Sequence, residues 1–321
     1  MEEGQENDGV RQGWVMVNGV PTFVKTWGCW LNQSSAKDVN DAIVLCIPAA
    51  PGITDFYDKF LSTLHAELHL PVWVVCHAGI QSPPATTNLA LPPLHRHPHL
   101  YNLAGQVEHK QKFIDQYLPK DKFIHFIGHS IGAKICIELM KVEEIASRTK
   151  QIHLLFPAIQ QLADTPKGWQ FTNIWNKLSP LLVLLAFIFT SLPYCVRCLL
   201  VRIAIAIRLF VFKIEPCYIT AVIKLCNPES TRNVFFLGES GMSSVRGLDD
   251  EIYTKYHQHI RAYFSVSDSW VPLKHYNNLR KQHPKVKSLL LEPMYIHDFI
   301  IQTSEQMAHK ISLEFKTFVT L

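Results

Sequence analysis

The stretch FIHFIGHSIGAKICIEL, residues 123–139, constrains the fold of this chain more than any other segment. An apolar run ends in a G-x-S-x-G pattern centred on Ser130, and an apolar pattern typical of a helix follows at once. A sharp turn from a buried strand into a helix exposes such a serine, and the flanking glycines let the two elements approach closely. The pattern therefore predicts that Ser130 is a nucleophile; the alternative is a serine in an ordinary turn.

Short apolar runs and amphipathic stretches alternate along the chain around this motif. The runs 42–47 and 72–76 are continuously apolar, which is typical of strands buried on both faces. Helices are predicted at 54–68 and 105–118, and the Asn-Gly pair inside 14–28 indicates a β-hairpin. This order predicts an α/β fold with a mostly parallel central sheet and helices on both faces.

Composition and charge exclude some classes of function. The 321 residues are 48% hydrophobic, enough for a sizeable core, and the net charge of +4 is too small to indicate nucleic-acid binding. The eight cysteines form no pattern suited to a metal ion, which predicts reduced thiols in a cytosol-facing protein and no metal site. We expect a core built from 1–157 and 258–321, with 158–257 as an insertion.

A serine nucleophile needs a base, and the base needs an acid that orients it. We call the sharp turn from strand to helix at Ser130 the elbow. In chains with such an elbow, the catalytic residues follow one another in the order serine, acid, histidine. Asp268 follows the strand-like YFSVS, and His297 follows the last strand-like run, so both fall at the sheet edge where ligands bind. Asp268 is therefore predicted as the orienting acid and His297 as the general base, with Asp298 as a competing acid. The histidines of polar segments are predicted to be solvated: His257, His259, His275 and His283.

The oxyanion formed during attack on an ester needs two backbone donors. One predicted donor is the N–H of Ile131, the residue after the nucleophile, and the other lies in the loop after the run 42–47. Prolines interrupt that loop and have no N–H. Ala50 is therefore the predicted second donor, with Ala49 as the alternative.

Several segments together carry a family resemblance over nearly the whole chain: GHSIGA, YNLAGQVEHKQKFI, IPAAPGITDFY, FSVSDSWVP and the later HDFI. With them the chain resembles the α/β-hydrolases and, more narrowly, the lipid droplet-associated hydrolases. The resemblance implies the α/β-hydrolase fold with a helical cap insertion, a triad of Ser130, Asp268 and His297, and no cofactor. The family's oxyanion loop resembles I-P-G-N-P-G, whereas this chain has Ala49 and Ala50. If the glycine position requires a positive φ, an alanine there costs about 1 kcal/mol or more.

The insertion contains an unusually apolar segment, 178–212, in two runs. Residues 181–192 as a helix would be only about 18 Å long, against about 30 Å for a bilayer core, so this run is predicted not to span a membrane. The second run carries Arg202 and Arg208, which are costly at a bilayer centre. The two runs are either cap helices around an acyl pocket or a hairpin that lies in one leaflet of a lipid surface.

Together these features predict a serine esterase or lipase that acts on lipid esters; the resemblance suggests cholesteryl esters. The expected location is the cytosol-facing surface of a lipid droplet monolayer or of the endoplasmic reticulum membrane. A droplet surface protein with little or no turnover and an acyltransferase with the same triad are the alternatives. The side chains predicted to contact lipid are Leu181, Leu182, Leu184, Phe187, Phe189, Leu199, Ile205 and Phe210.

Overall fold

A computed structural model describes residues 5–7, 9–31, 41–209 and 214–319. Within these residues one nine-stranded sheet runs through the molecule in the order β1-β2-β3-β5-β4-β6-β7-β8-β9. The strands are β1 (Gln5–Asn7), β2 (Val10–Val17), β3 (Val20–Trp27), β4 (Ala42–Ile47), β5 (Val72–Val75), β6 (Phe123–His129), β7 (Thr149–Leu155), β8 (Ile260–Ser265) and β9 (Lys287–Leu291). The strands from β5 to β9 in this order are parallel, and β1 to β3 add an antiparallel edge.

The predicted hairpin is confirmed as β2 and β3, which pair in antiparallel register around the Asn-Gly turn. Asn18 and Gly19 adopt positive φ angles of 48° and 74°, as a two-residue hairpin turn requires. The turn type keeps the strands in register, so the hairpin extends the sheet beyond β5.

Helices cover both faces of the sheet, which confirms the predicted fold class. They are α1 (Asp58–Leu68), α2 (Leu103–Tyr117), α3 (Ile131–Leu139), α4 (Glu143–Arg148), α5 (Pro166–Gln170), α6 (Asn176–Thr190), α7 (Tyr194–Leu209), α8 (Pro216–Leu225), α9 (Pro228–Ser244), α10 (Asp250–Tyr256), α11 (Leu273–Gln282), α12 (Phe299–Gln302) and α13 (Ser304–Val319). Alternate residues of β4 enter two different cores: Leu45 packs with α2 and α3, whereas Val44 packs with α1 and α13. A strand buried on both sides must be apolar throughout, and the run 42–47 has this pattern.

Parallel strands bring the candidate site residues to one edge of the sheet. Ser130 follows β6, Asp268 lies just beyond β8, and His297 lies in the turn between β9 and α12. The loop with Ala49 and Ala50 follows β4, the direct neighbour of β6. The carboxyl ends of neighbouring parallel strands point the same way, so residues distant in sequence meet there.

The insertion between β7 and β8 contains helices α5 to α10. Helices α6 and α9 pack against each other, and α7 packs against α8. Ile252 and Tyr253 of α10 lie in the main hydrophobic core, so this helix packs against the sheet although it falls within 158–257. The division of the chain at 157 and 258 remains a prediction.

The helix that contains the first apolar run begins well before the run itself. A continuous helix extends over Pro166–Thr190, with a π-helical turn at Phe171–Trp175, and its 25 residues correspond to about 38 Å. The expectation that this run is too short to cross a bilayer is therefore wrong. Proline normally ends a helix, but Pro180 lies inside this one. Because proline has no N–H, the Asn176 carbonyl receives no backbone hydrogen bond from position 180. Ser179 Oγ donates to that carbonyl instead, at 2.7 Å.

By length and composition, this helix is the one in the described residues that could cross a membrane, and only 6% of its apolar window is buried. Of the side chains predicted to contact lipid, Leu181, Leu184, Phe187 and Leu199 are exposed, and Leu182, Phe189 and Ile205 are half-buried. Phe210 and the side chain of Arg208 lie outside the described residues. We call the outward side of α5 to α7 the exposed apolar face; its members are Trp169, Ile174, Trp175, Leu178, Leu181, Leu184, Leu185, Phe187, Ile188, Tyr194, Val196, Leu199, Leu200, Ile203 and Ile207.

Candidate active site

The turn at Ser130 has the strained geometry that the motif predicts. Ser130 adopts φ 53° and ψ −117°, in a region that residues other than glycine rarely occupy. A Cβ on Gly128 would lie 2.7 Å from Ala133 Cα, and one on Gly132 would lie 2.2 Å from the Ile47 carbonyl oxygen. Both glycines therefore permit close backbone approach, and the strain at Ser130 is held by packing on both sides of the turn.

Ser130, His297 and Asp268 are brought together in one line of hydrogen bonds. Ser130 Oγ lies 2.9 Å from His297 Nε2, and His297 Nδ1 lies 2.7 Å from Asp268 Oδ2. The side chain of Asp268 is fully buried, and its Oδ1 accepts the backbone N–H groups of Trp270 (2.8 Å) and Val271 (2.9 Å). Those two bonds fix the orientation of the carboxylate, so Oδ2 remains available to the imidazole.

This arrangement determines which imidazole nitrogen carries the proton. An Asp268 carboxylate only accepts, so His297 Nδ1 carries the proton and donates it, which leaves the Nε2 lone pair facing the Ser130 hydroxyl. A neutral imidazole in this tautomer can accept the serine proton as Oγ attacks. Asp298, the competing acid, instead occupies the N-cap position of α12.

The two candidate oxyanion donors in the loop after β4, Ala49 and Ala50, differ in their hydrogen bonding. The N–H of Ala49 donates to the Tyr57 hydroxyl at 2.8 Å, so it is already engaged. Gly132 packs against the carbonyls of Ile47 and Pro48, which brings the start of α3, and with it Ile131, against this loop. Neither Ala49 nor Ala50 has a positive φ, so alanine in place of the family's glycine causes no strain of that kind.

An apolar pocket of about 330 Å³ opens above Ser130 and His297. Helix α9 supplies one wall through Val234, Leu237 and Met242, and Phe171 of the π-helical turn supplies another part. Gly238 lets this turn approach α9, because a Cβ there would lie 2.3 Å from the Phe171 ring. The insertion therefore contributes part of the apolar lining, the core contributes the rest through side chains such as Phe56 and Ile300, and the sheet edge supplies the reactive groups.

Two polar residues beside the site were not assigned a role from the sequence. Tyr57 lies in the quoted segment IPAAPGITDFY, and His129 precedes the nucleophile, yet both are buried and bonded to each other at 2.7 Å. The prediction that His275 and His283 are solvated is wrong, since both are buried, and burial lowers the pKa of His275 to about 4. Their polar neighbours in sequence gave no signal of this, because the buried contacts come from other segments.

Comparisons with known proteins agree with this fold. A family model described as lipid-droplet associated hydrolase matches residues 40–300. A lipid droplet-associated hydrolase of Drosophila melanogaster is 36% identical over 304 residues, which cover 93% of this chain and 96% of that protein. The fold is shared with a serine hydrolase from Cycloclasticus zankles (TM-score 0.59, 15% identity, covering 96% of this chain and 98% of that one). It is also shared with a bacterial membrane phospholipase A (TM-score 0.65, 12% identity, covering 98% of this chain and 88% of that one).

Proposed function

This chain belongs to the lipid droplet-associated hydrolase family, and we propose that it is a serine esterase that cleaves lipid esters at a lipid surface. The observation that carries the proposal is the line of hydrogen bonds from Ser130 through His297 to Asp268, at the base of an apolar pocket. The proposed reaction needs only these side chains, two backbone donors and water.

In this reaction the ester carbonyl lies over Ser130, and His297 Nε2 accepts the hydroxyl proton as Oγ attacks the carbonyl carbon. Asp268 keeps the other proton on Nδ1 and stabilises the imidazolium. The N–H groups of Ile131 and Ala50 donate to the tetrahedral oxyanion. The imidazolium then protonates the leaving alcohol. Water, deprotonated by His297 in the same way, attacks the acyl group, which releases the acid and restores Ser130.

The lining of the pocket favours an acyl chain as the bound group. Most of the lining side chains are apolar, from α9 and the π-helical turn as well as from the core, and about 330 Å³ is near the lower end of the range for small-molecule sites. We propose that the pocket takes the acyl chain next to the ester, while the remainder of the lipid stays outside. Cholesteryl esters are the first substrate to test, followed by acylglycerols.

The exposed apolar face supports attachment to a lipid surface. A soluble monomer rarely exposes so many large apolar side chains on neighbouring helical segments of the chain. Thr165 and Gly168, at the start of the long helix, are buried, and Phe171 lines the pocket, so the first turns of the helix are held by the protein. This favours an arrangement in which the exposed apolar face lies in one leaflet, and it disfavours one in which the helix spans the bilayer. The proposed location is the cytosol-facing surface of lipid droplets and of the endoplasmic reticulum.

A fluorophosphonate probe tests the proposed chemistry directly, because it reacts only with an activated serine. Wild-type protein in detergent or lipid should label, and Ser130→Ala should not. The matched control is Ser62→Ala, which removes a hydroxyl that bonds only within α1, and this variant should label as the wild type does. Folded wild-type protein that does not label would exclude the active esterase.

A second candidate function is suggested by the exposed apolar face alone. A protein that binds the droplet surface through this face needs no turnover at Ser130. Cells that lack the protein and are supplied with variants separate the two functions by their droplet content. If hydrolysis is the function, Ser130→Ala should fail to restore the wild-type phenotype; if surface binding is the function, only deletion of 178–212 should fail.

A further inference from the structure

We propose that Tyr57 and His129 are positioning residues that tie the oxyanion loop to the turn carrying His297. The inference deepens the proposed function and rests on it. Neither residue need touch the substrate for this role. What they share is a continuous chain of hydrogen bonds through the buried interior behind Ser130.

The chain of bonds joins three segments that are far apart in sequence. The Ala49 N–H donates to Tyr57 Oη at 2.8 Å, and Tyr57 Oη lies 2.7 Å from His129 Nδ1. His129 Nε2 lies 3.0 Å from the backbone carbonyl oxygen of His297. The chain therefore begins in the loop after β4, passes through the residue before the nucleophile, and ends on the backbone of the proposed base.

The direction of every bond in this chain is determined by chemistry. A carbonyl oxygen only accepts, so His129 Nε2 must carry a proton and donate it to His297. Burial lowers the pKa of His129 well below its usual range, and the neighbouring His297 lowers it further, so the ring is neutral and Nδ1 is an acceptor. Tyr57 then donates its O–H to Nδ1 and uses an oxygen lone pair to accept from Ala49. Burial raises the pKa of Tyr57, which keeps that proton in place.

Because these hydrogen bonds follow one another in one direction, they fix the positions of the three segments relative to one another. The first bond of the chain fixes the Pro48–Ala49 peptide, which adjoins the peptide that carries the Ala50 N–H, and therefore limits how that N–H can point toward the oxyanion. Its last bond fixes the backbone of the residue whose imidazole faces Ser130. Aromatic packing supports the His129 ring, since the Phe299 ring centroid lies 5.0 Å away and that of His297 lies 5.3 Å away. Loss of one bond should loosen the donor loop and the base together.

The structure contains a matched control for this proposal. Tyr263 Oη lies 2.9 Å from His153 Nδ1, and Tyr263, like Tyr57, is fully buried. That second pair lies on β8 and β7 and does not line the pocket. Tyr263→Phe and Tyr57→Phe therefore remove the same hydroxyl from the same kind of buried tyrosine–histidine pair. Both keep the aromatic ring, so both should fold.

The experiment measures steady-state hydrolysis of a soluble p-nitrophenyl ester together with thermal unfolding. We expect Tyr57→Phe to lower kcat by about 10- to 100-fold with little change in KM, because the transition state loses a well-placed donor and base. Tyr263→Phe should lower Tm by a similar amount but leave kcat as in the wild type. Equal kcat in Tyr57→Phe and wild type, or equal losses in both variants, would overturn the inference.

A measurement that needs no turnover keeps this inference separate from the proposed function. Nitrogen-15 NMR of labelled histidine should show His129 as the neutral Nε2–H tautomer in the wild type, and an altered Nδ1 signal in Tyr57→Phe. An Nδ1–H tautomer for His129 in the wild type would refute the chain of bonds, whatever the activity. Wild-type protein that neither labels nor hydrolyses esters would instead refute the esterase and leave the NMR result to decide the chain.

Discussion

Strand β4 and helix α6 both consist mostly of apolar residues, yet β4 is enclosed by protein and α6 is largely exposed. In β4 every residue after Ala42 is buried, because helices cover both faces of the sheet. In α6, which has 15 residues against the six of β4 and contains the apolar run LLVLLAFIF, only Ala186 is buried. The hydrophobic effect stabilises β4 in the core, whereas α6 packs its apolar side chains against protein only on the side that faces α9.

The contrast separates two kinds of apolar surface that hydropathy alone does not distinguish. The sheet edge holds polar groups at fixed distances, and its apolar residues keep those groups in place. The insertion contributes apolar walls to the pocket and leaves a second apolar side open. If the two regions have the separate roles proposed here, substitutions in one should change chemistry or stability, and substitutions in the other should change attachment to lipid.

The largest effect is expected from Asp268→Asn at the sheet edge. The amide keeps the shape of the side chain but no longer favours a proton on His297 Nδ1, so turnover of a soluble ester should fall by about 10⁴-fold. Attachment to artificial lipid droplets should not change. Asp298→Asn is the matched control, because it removes the neighbouring carboxylate and should keep most of the activity. A similar loss in both variants would contradict the assignment of Asp268.

The converse change replaces Leu184 and Phe187 with glutamate on the exposed apolar face. Each side chain would lose the free energy of entering the lipid, so partition onto droplets should weaken by about 100-fold or more. Flotation with phospholipid-coated triolein droplets measures this, and turnover of the soluble ester should be unchanged. Leu313→Glu, at an exposed leucine of α13 outside this face, is the control and should bind as the wild type does. Unchanged flotation of the double variant would show that this face does not hold the protein on lipid.

A pair of glycine substitutions compares packing in the two regions. A Cβ on Gly132 would lie 2.2 Å from the Ile47 oxygen, so Gly132→Ala should lower the free energy of unfolding by about 1–3 kcal/mol and reduce turnover. The nearest atom to a Cβ on Gly241 of α9 is 3.5 Å away, so Gly241→Ala should be neutral or stabilising by up to about 1 kcal/mol. Chemical denaturation measures both. Equal stability of the two variants would mean that the turn at Ser130 has room for a Cβ at Gly132, in contradiction to the 2.2 Å contact.

The last effect is a slope of stability with pH, and it concerns the buried amine of Lys110 in the core. Burial lowers the pKa of Lys110 to about 7, and its ammonium group donates to the Cys76 carbonyl at 2.9 Å. The unfolded chain therefore binds more protons than the folded one between pH 7 and about 10, and stability rises with pH by up to about 1.4 kcal/mol per unit. Lys110→Met should remove this contribution to the slope, whereas Lys112→Met, at an exposed residue of the same helix, should keep it. Parallel wild-type and Lys110→Met curves would contradict the lowered pKa.

Local patterns were sufficient to predict the α/β fold, and the resemblance of several segments to known sequences indicated the family; both are confirmed. The continuous apolar runs at 42–47 and 72–76 are strands because only a two-sided core tolerates them. The placement of Asp268 and His297 after later strands followed from the rule that parallel strands share a carboxyl edge. Their catalytic roles remain predictions, although the hydrogen bonds join them to Ser130.

Other features could not be read from local patterns. Helix α6 continues through Pro180, a residue that usually marks a helix boundary, and it packs against α9 from a later part of the insertion. The Ala49 N–H donates to the hydroxyl of Tyr57, a contact that the loop sequence did not indicate, and Ala50 as the second donor stays a prediction. His275 is buried, and its backbone carbonyl accepts a hydrogen bond from the Gln160 amide, 115 residues away in sequence.

The sequence by itself determined what short stretches of neighbouring residues encode: the individual strands, the turn at Ser130 and the apolar character of 178–212. Hydrophobic periodicity and glycine sterics act over a few neighbouring residues, so they are visible without the fold. Only the tertiary structure decided that Tyr57 bonds to His129 across 72 positions, that His129 bonds to His297 across 168, and that α6 leaves one side uncovered. Those outcomes depend on which segments become neighbours, because burial and hydrogen bonding are properties of surroundings that distant parts of the chain supply.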